Sequence, residues 1–339
     1  MPLLKLWRNI TLISKIKKTG AFIIPTGIGA SIGGYAGDGG AYARKFAKYT
    51  NLIVNPNVVN AGGFSAITDT MLYVEGYSLD EFFKGNLNLI SSNSNKIGII
   101  YDRAIPTDVL NIHINTQNAV KTVYGVDIIA HKITDEPVGV EFFMTDDGIS
   151  SGKVNNIETI GKACKALIDK GCNAIAIVCL FEDSELDNPD YANGQGADPV
   201  GGVEAIISHY ISKHYKIPCA HSPAFADYSI STDLIHPKSA SEYITPTFLP
   251  CILLGLSQAP QLTTNLTEGI SVKSLDFLVM PYNALGSIPV FKALDFNIPI
   301  YAIKENITEL DVTKEKLFNY SKIIEFDTYE NCLKSILKN

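Results

Sequence analysis

The chain has 339 residues, of which 46% are hydrophobic and 19% are charged, and its formal net charge is −7. This composition is typical of a folded globular protein, and the negative charge without a basic patch excludes a non-specific nucleic-acid binder. The six cysteines form no CxxC pair, which argues against a zinc ribbon or a disulfide scaffold and indicates a reducing, cytoplasmic location.

Residues 1–20 form a basic segment without a single acidic residue. Charged residues interrupt its apolar positions too often for a signal-peptide core or a membrane span. We interpret the segment as an amphipathic helix on the surface of the protein, with a cleavable organelle leader as the alternative. Residues 21–339 are predicted to form an α/β domain, either as one unit or as two lobes that meet near residues 150–156.

Short β-branched runs alternate with segments of helical periodicity through this domain. The predicted strands are 21–24, 52–55, 96–102, 126–133, 138–144, 174–180, 217–220, 277–281 and 298–303. The predicted helices are 41–49, 107–125, 158–171, 201–215 and 288–297. Buried β-branched strands that alternate with helices predict a mostly parallel central sheet with helices on both faces. Strands 126–133 and 138–144, joined by TDEP, are predicted to add an antiparallel hairpin.

Polar or glycine-bearing loops follow the predicted strands. In open α/β sheets, ligands bind beyond the carboxyl ends of parallel strands, so these loops are where a site is expected. The positions selected there for ligand binding are Gly27, Gly29, Gly33, Gly34, Asn55, Asn57, Asn283 and Glu305. A structural rim would not need amides and carboxylates at so many strand ends, and the pattern therefore favours a small-molecule site.

The richest of these loops is PTGIGASIGGYAGDGG, residues 25–40. It begins like the dinucleotide motif GxGxxG, but the third glycine falls one residue late, at Gly33. Asn55 stands where a ribose-binding acid would be, and the GxxxxGK[ST] phosphate loop is absent. We therefore expect no cofactor and predict a nest of backbone N–H donors suited to a carboxylate or an oxyanion. Close packing of strand against helix is the alternative.

The candidate catalytic residues are concentrated in residues 194–224. Asp198 precedes a predicted helix that carries His209, and strand 217–220 delivers Cys219 and His221 to one face, with His221 just beyond the strand end. Cys219 and His221 together could form a thiolate nucleophile, and His221 alone suits a general acid or base. A buried Cys219 and a turn-forming His221 are the structural alternatives. No metal site is expected, because His209 and His214 lie on different helix faces.

Five long strings carry a family resemblance: PTGIGASIGGYAGD, LYVEGYSLDEF, GQGADPVGGVEAIISHYI, IPCAHSPAF and PTFLPCILLGLSQAP. With them the chain resembles the domain of unknown function numbered 3326, found in cyanobacteria, plants and other bacteria. The resemblance extends from about residue 20 to the C-terminal region. It implies a soluble protein with a conserved glycine loop and points to no particular reaction.

A second resemblance is local. GCNAIAIVC resembles the strand that presents the first cysteine of the aspartate/glutamate racemase superfamily, and PCAHSP is similar to the segment of its second cysteine. It implies that Cys179 and Cys219 are two thiols flanking a substrate carbon. The two cysteines are only 40 residues apart, however, whereas that superfamily divides them between two halves of the chain.

Together these patterns predict an enzyme that acts on a small anionic carboxylate or amide metabolite by hydrolysis, isomerisation or elimination. The glycine loop would hold the anion, and His221 with Asp198 or Cys219 would transfer protons. A non-catalytic metabolite-binding or regulatory protein and an oxidoreductase with an atypical dinucleotide loop are the alternatives. The apolar segment 246–262 is too short and proline-interrupted to span a membrane, and it is predicted to be a core helix or the face of a homo-oligomer.

Overall fold

The computed structural model describes residues 17–33, 38–144, 146, 150–181, 201–318 and 320–338. Its strands are β1 (Thr19–Phe22), β2 (Asn51–Val54), β3 (Asn60–Ala61), β4 (Phe64–Ser65), β5 (Met71–Tyr73), β6 (Asn88–Ile90), β7 (Ile97–Tyr101), β8 (Ile128–Ile133), β9 (Val140–Met144), β10 (Ser150–Val154), β11 (Ala174–Phe181), β12 (Cys219–Phe225), β13 (Gln261–Thr263), β14 (Phe277–Pro281), β15 (Ile300–Ile303) and β16 (Ile323–Phe326). Its α-helices are α1 (Gly40–Ala47), α2 (Pro56–Val59), α3 (Gly76–Lys84), α4 (Thr107–Tyr124), α5 (Ile157–Ile168), α6 (Gly201–Tyr215), α7 (Ala240–Tyr243), α8 (Leu249–Ser257), α9 (Ile288–Asp295) and α10 (Tyr329–Lys338).

The longer strands form two parallel sheets. A six-stranded sheet has the order β16-β15-β14-β1-β2-β5, and a four-stranded sheet has the order β12-β11-β7-β8. Every neighbouring pair in both sheets is parallel. The predicted α/β class is therefore confirmed, with the parallel strands divided between two sheets. Strands β7 and β14 are buried at every position, as expected where helices cover both faces of a parallel sheet.

Helices cover the faces of both sheets. Helices α3 and α9 pack on one face of the six-stranded sheet, and α1 and α10 pack on the other. In the four-stranded sheet, α5 and α6 cover one face, while α4 and α8 cover the opposite face. One apolar core includes Phe22 and Leu52 of the first sheet together with Ile99 and Val178 of the second. The two sheets therefore share one core cluster between them, while each has a second core on its other face.

Helix α8 lies in this shared core, as one of the two interpretations of segment 246–262 predicted. Leu249, Leu253 and Leu256 are fully buried within the chain. The helix packs against β11 and β12 on one side and against the β3–β4 hairpin on the other. Most of its apolar residues are thus covered by the same chain, and a homo-oligomer remains a prediction. Among the described residues, no helix combines the length and the apolar composition that crossing a membrane requires.

An antiparallel hairpin is present, but it uses a different pair of strands from the predicted one. Strand β9 pairs with β10, whereas β8 joins the four-stranded sheet as the parallel neighbour of β7. The predicted pairing of 126–133 with 138–144 was therefore wrong. The backbone N–H of Val138 donates instead to the carboxylate of Asp102, the residue after β7, at 3.0 Å. Two lobes meeting near residues 150–156, where β10 lies, remain a prediction.

Candidate functional site

The glycine loop lies where the strand order of the six-stranded sheet reverses. From β1 the chain proceeds to β2 and β5 on one side, whereas β14 is followed by β15 and β16 on the other. The connections through α1 and α9 cover opposite faces of the sheet. In open α/β sheets, ligands bind in the crevice outside such a reversal point, between the loops that follow the two central strands. These loops are the glycine loop after β1 and the Asn283 loop after β14.

The asparagines predicted to bind ligand are brought to this edge, and their side chains hold the loops. Asn55 accepts a hydrogen bond from the Ile24 N–H at 3.1 Å and donates one to the Ile24 carbonyl at 2.8 Å. Asn57 donates to the carbonyls of Ile24 and Pro25 at 3.2 and 3.1 Å. The two amides therefore fix the backbone at the point where the glycine loop leaves β1.

Asn283 holds a second loop, residues 305–312, which follows β15. Its amide donates to the carbonyls of Thr308 and Leu310 at 2.9 and 2.6 Å, and its oxygen accepts from the N–H and the hydroxyl of Thr308, both at 3.0 Å. This loop lies against the glycine loop, because the Ser31 N–H donates to the Ile307 carbonyl at 2.6 Å. A segment of the chain itself therefore occupies part of the crevice.

The glycines of the loop have left-handed backbone angles, and two of them pack closely against side chains. Gly27, Gly29 and Gly33 all have positive φ, at 73°, 57° and 78°. A Cβ on Gly29 would lie 2.5 Å from the Glu309 Cγ, and one on Gly33 would overlap the Ile24 Cδ1. Within the described part of the chain, the N–H groups of Gly27 and Gly29 donate no hydrogen bond. Gly34, the fourth predicted glycine, lies outside the described residues.

The Gly33 N–H already binds an anion, the carboxylate of Asp38. Asp38 belongs to a group of polar side chains that we call the glycine-loop cluster: Ser31, Asp38, Tyr42, Lys238 and Glu305. Lys238 donates through its Nζ to the Ser31 carbonyl, and its positive charge acts on Asp38. Burial raises the pKa of Asp38 to about 6, and the Gly33 hydrogen bond and Lys238 only partly oppose that rise.

Glu305 lies in the same cluster, as its place after a strand predicted. Its Oε1 accepts a hydrogen bond from the Tyr329 N–H at 2.6 Å, at the start of α10. Burial raises the pKa of the Tyr42 hydroxyl, and the charges of Glu305 and Asp38 raise it further. Asp38 could be noticed in the sequence as the residue that closes the glycine run. Lys238 could not, since it is 207 residues away from Ser31 along the chain.

The predicted catalytic histidines lie in a second group, the histidine cluster: Glu75, Glu204, Ser208, His209 and His221. The expectation that His221 follows a strand end was wrong, because β12 continues to Phe225 and His221 is its third residue. The strand is longer than predicted because seven of its residues pair with β11. His221 contacts the Ser208 Oγ through Nδ1 at 2.9 Å, and its Nε2 lies 3.7 Å from the Glu204 Oε2.

Burial lowers the pKa of His221 to about 3, and the nearby His209 acts in the same direction. His221 is therefore neutral at pH 7, and its contact with Glu204 is not an ion pair there. His209 Nε2 lies 3.5 Å from the Glu75 Oε2. Glu75, which the sequence reasoning missed, caps helix α3: its carboxylate accepts from the N–H of Ser78 at 2.7 Å and of Tyr77 at 3.0 Å. In the sequence, Glu75 could be noticed only as a single acidic residue between the short strand β5 and Gly76.

All six cysteines are buried in this arrangement. Cys219 shares a strand face with His221, as predicted, but it is only 1% exposed, and burial raises the pKa of its thiol well above the usual value. Cys179 pairs with Pro223 and Cys219 with Ile175, so the two thiols are four residues apart along neighbouring strands, or about 13 Å. Two thiols this far apart do not flank one carbon atom, and the racemase-like arrangement is therefore not supported.

The predicted site residues thus divide into two groups. One group lies at the carboxyl edge of the six-stranded sheet: Gly27, Gly29, Gly33, Asn55, Asn57, Asn283 and Glu305. The other lies on α6 and β12: His209, Cys219 and His221. Asp198, the remaining predicted catalyst, lies outside the described residues. Among the residues that are described, no group of three histidine, cysteine or acidic side chains could hold a metal ion.

The sequence comparisons place the chain in a family. The model of a family described as "Protein of unknown function (DUF3326)" matches residues 19–337. The chain belongs to this family. A relative from Synechococcus, described as an uncharacterized lipoprotein, is 37% identical over 300 residues, which are 87% of this chain and 83% of the relative. No solved structure matches the chain.

The DUF3326 match includes both polar groups. Its boundaries lie close to the first residue of β1 and the end of α10, so the two sheets and the segments between them belong to one family domain. The glycine-loop cluster draws its residues from positions 31 to 305 and the histidine cluster from positions 75 to 221, all within that domain.

Proposed function

We propose that this member of the DUF3326 family is an enzyme that binds a small carboxylate- or amide-bearing metabolite at the glycine loop. In this proposal Asp38 transfers protons during hydrolysis, isomerisation or elimination, and the Lys238 ammonium stabilises negative charge. The observation that carries the proposal is that a buried carboxyl group and a cation are both held on the loop: Asp38 accepts from the Gly33 N–H, and Lys238 donates to the Ser31 carbonyl. The loop lies at the reversal point of the sheet, where ligands of such folds bind.

Two features support an anionic group on the ligand. The N–H groups of Gly27 and Gly29 have no acceptor among the described residues, and positive-φ turns of this kind form concave nests of donors. The Lys238 ammonium, bound to the Ser31 carbonyl, adds a positive charge on the same loop. Neutral donors and one cation together suit a carboxylate or the oxyanion of a reacting amide.

The state of Asp38 supports a role in proton transfer. Its pKa, raised by burial to about 6, leaves it close to the point at which it can both give and accept a proton at neutral pH. General acid–base catalysis is most efficient when the pKa of the catalyst lies near the working pH. Asp38 meets that condition, whereas His221, with its pKa lowered to about 3 by burial, does not.

A non-catalytic metabolite-binding protein is the second candidate. The position of His221, the base expected from the sequence, favours this candidate. His221 lies inside β12, and its side chain contacts the buried Ser208 hydroxyl of α6. Asn55 and Asn283 likewise use their side-chain amides in hydrogen bonds to backbone carbonyls of the protein itself. Even if His221 and these amides do not contact the ligand, the site could still recognise it through backbone N–H donors and Lys238.

The test is a turnover screen with a matched pair of variants. The full chain is incubated with a panel of carboxylate and amide metabolites, and products are followed by proton NMR. Asp38→Asn, which keeps an acceptor for the Gly33 N–H, is expected to lower kcat by about 100-fold or more. Asp69→Asn removes an exposed carboxylate elsewhere and should leave turnover unchanged.

Two results would contradict the proposal. Full activity in Asp38→Asn would remove that residue from the chemistry. If the wild type binds a ligand but turns over no compound of the panel, the protein is a metabolite-binding protein and not an enzyme.

The cellular location is a separate proposal, and we propose the cytoplasm. All six cysteines are free and buried, as is usual in proteins of reducing compartments. The Synechococcus relative is described as a lipoprotein, which makes membrane attachment the competing location. Fractionation of the native cells with detection by antibody decides between them. Recovery in the cytosolic fraction supports the proposal, and recovery in membranes that only detergent releases would overturn it.

A further inference from the structure

We infer that the ligand of the glycine-loop cluster carries an ammonium group as well as a carboxylate, as an α-amino acid does. The inference rests on the proposed function, because it concerns the same site and narrows the class of metabolite. It comes from the balance of charges around the loop. That balance does not suit a ligand that is only an anion.

The charged groups of the cluster have a net negative charge. Asp38 and Glu305 supply two carboxylates, and Lys238 supplies one ammonium group. A further cation, Lys45, lies 5.6 Å from the centre of the Tyr42 ring, but it is exposed on α1, where water and salt screen its charge. A simple carboxylate would thus enter a site that already holds more negative than positive charge.

The tyrosines of the site respond to this negative potential. The charges of Glu305 and Asp38 add to burial in raising the pKa of Tyr42, and both also act in that direction on Tyr329. For Asp38 itself, Lys238 and the Gly33 N–H do not offset the cost of burial. A cation placed between these groups would offset it, since an opposite charge stabilises a carboxylate that burial has destabilised.

The groups suited to the two ends of a zwitterion come from two loops that pack against each other, the glycine loop and the loop after β15. The backbone donors of Gly27 and Gly29 are on the glycine loop and suit the carboxylate end. Glu305 follows β15, and its Oε1 is held by the Tyr329 N–H, while its Oε2 accepts no hydrogen bond from the described residues. Glu305 and Asp38, which both act on Tyr42, suit the ammonium end.

Calorimetry with matched ligands tests the inference on the full chain. Each of the common α-amino acids is titrated beside the acid that lacks its amino group and beside its N-acetyl derivative. We expect at least one amino acid to bind at least 10-fold more tightly than both of its matched compounds. Asp38→Asn and Glu305→Gln keep their backbone hydrogen bonds but lose their charge, and each should reduce that preference several-fold. Asp69→Asn, an exposed carboxylate outside the cluster, should retain it.

The outcomes separate the inference from the proposed function. If the acids without an amino group bind as tightly as the amino acids, the ligand is a plain carboxylate, and only the inference fails. If amino acids bind preferentially but both variants keep the full preference, the ammonium group is recognised elsewhere, and the inference also fails. If no compound of either series binds the wild type, the inference fails, and the turnover screen decides the proposed function separately. The comparison of ligands uses only the wild type, so it holds even if a variant does not fold.

Discussion

Replacing Asn283 with alanine separates the two roles that its position allows. The sequence assigned it to ligand binding, whereas its amide holds the 305–312 loop through four hydrogen bonds to Thr308 and Leu310. The side chain is buried, with 6% exposure, so water cannot readily replace these bonds in the folded protein. The structure therefore predicts that Asn283→Ala acts first on stability.

The size of the effect follows from the number of bonds. A neutral hydrogen bond contributes about 1 kcal/mol net, so loss of all four should lower the free energy of unfolding by about 4 kcal/mol. Unfolding entropy of about 2.1 cal/mol/K per residue, taken over 339 residues, converts this loss into a fall of about 6 °C in Tm. Asn331→Ala, an exposed asparagine on α10, is the matched control and should shift Tm by less than about 1 °C.

The assay is thermal unfolding followed by circular dichroism, with and without ligand. If Asn283 is a clamp, the variant melts at lower temperature in both conditions. A variant that keeps the wild-type Tm but loses ligand binding would refute this reasoning and return Asn283 to the binding site.

Three further predictions concern the glycine loop, the histidine cluster and the cysteines. Gly33→Ala should lower the free energy of unfolding in urea by about 2–3 kcal/mol, because the new Cβ overlaps Ile24 and the backbone φ is positive. Gly125→Ala, the control, has the positive φ without the overlap and should lower it by about 1 kcal/mol. Equal losses in the two variants would contradict the packing explanation. Since burial lowers the pKa of His221 from 6.5 to about 3, the unfolded chain takes up that proton first, and stability is lost as the pH falls from 6.5 towards 3. His221→Gln should therefore lose less stability than the wild type in urea unfolding between pH 7 and 4, and parallel curves for the two proteins would count against the shifted pKa. All six cysteines are buried, so a thiol reagent should label the urea-unfolded protein far faster than the native protein. If the native protein is labelled rapidly and Cys219→Ser abolishes that labelling, the reactive-thiol hypothesis is restored.

Local patterns were sufficient for the long elements of the fold. The run 277–281 is strand β14 at every residue, and the helical period over 107–125 agrees with α4 to within one residue. Buried β-branched runs and the apolar stripe of a helix are properties of neighbouring residues, so they can be recognised without the fold. The edge strands β5 and β16 were missed because three or four residues of mixed polarity carry no such signal.

Sequence reasoning also found the edge at which the glycine loop, Asn55, Asn283 and Glu305 meet, because parallel strands end on the same side of a sheet. It could not say what those side chains bind. Asn283 and Thr308 are brought together only when the loop after β15 crosses over the end of β14.

By itself, the sequence determined the α/β class, the glycine loop and the polar character of the strand ends, since each depends on residues close together in the chain. Only the tertiary structure decided that β8 pairs with β7, that His221 lies inside β12, and that Lys238 reaches the glycine loop. Strand partners and long-range contacts depend on which backbone edge is available after the helices have packed. That choice is made by the whole chain, through its shared core, and no short segment encodes it.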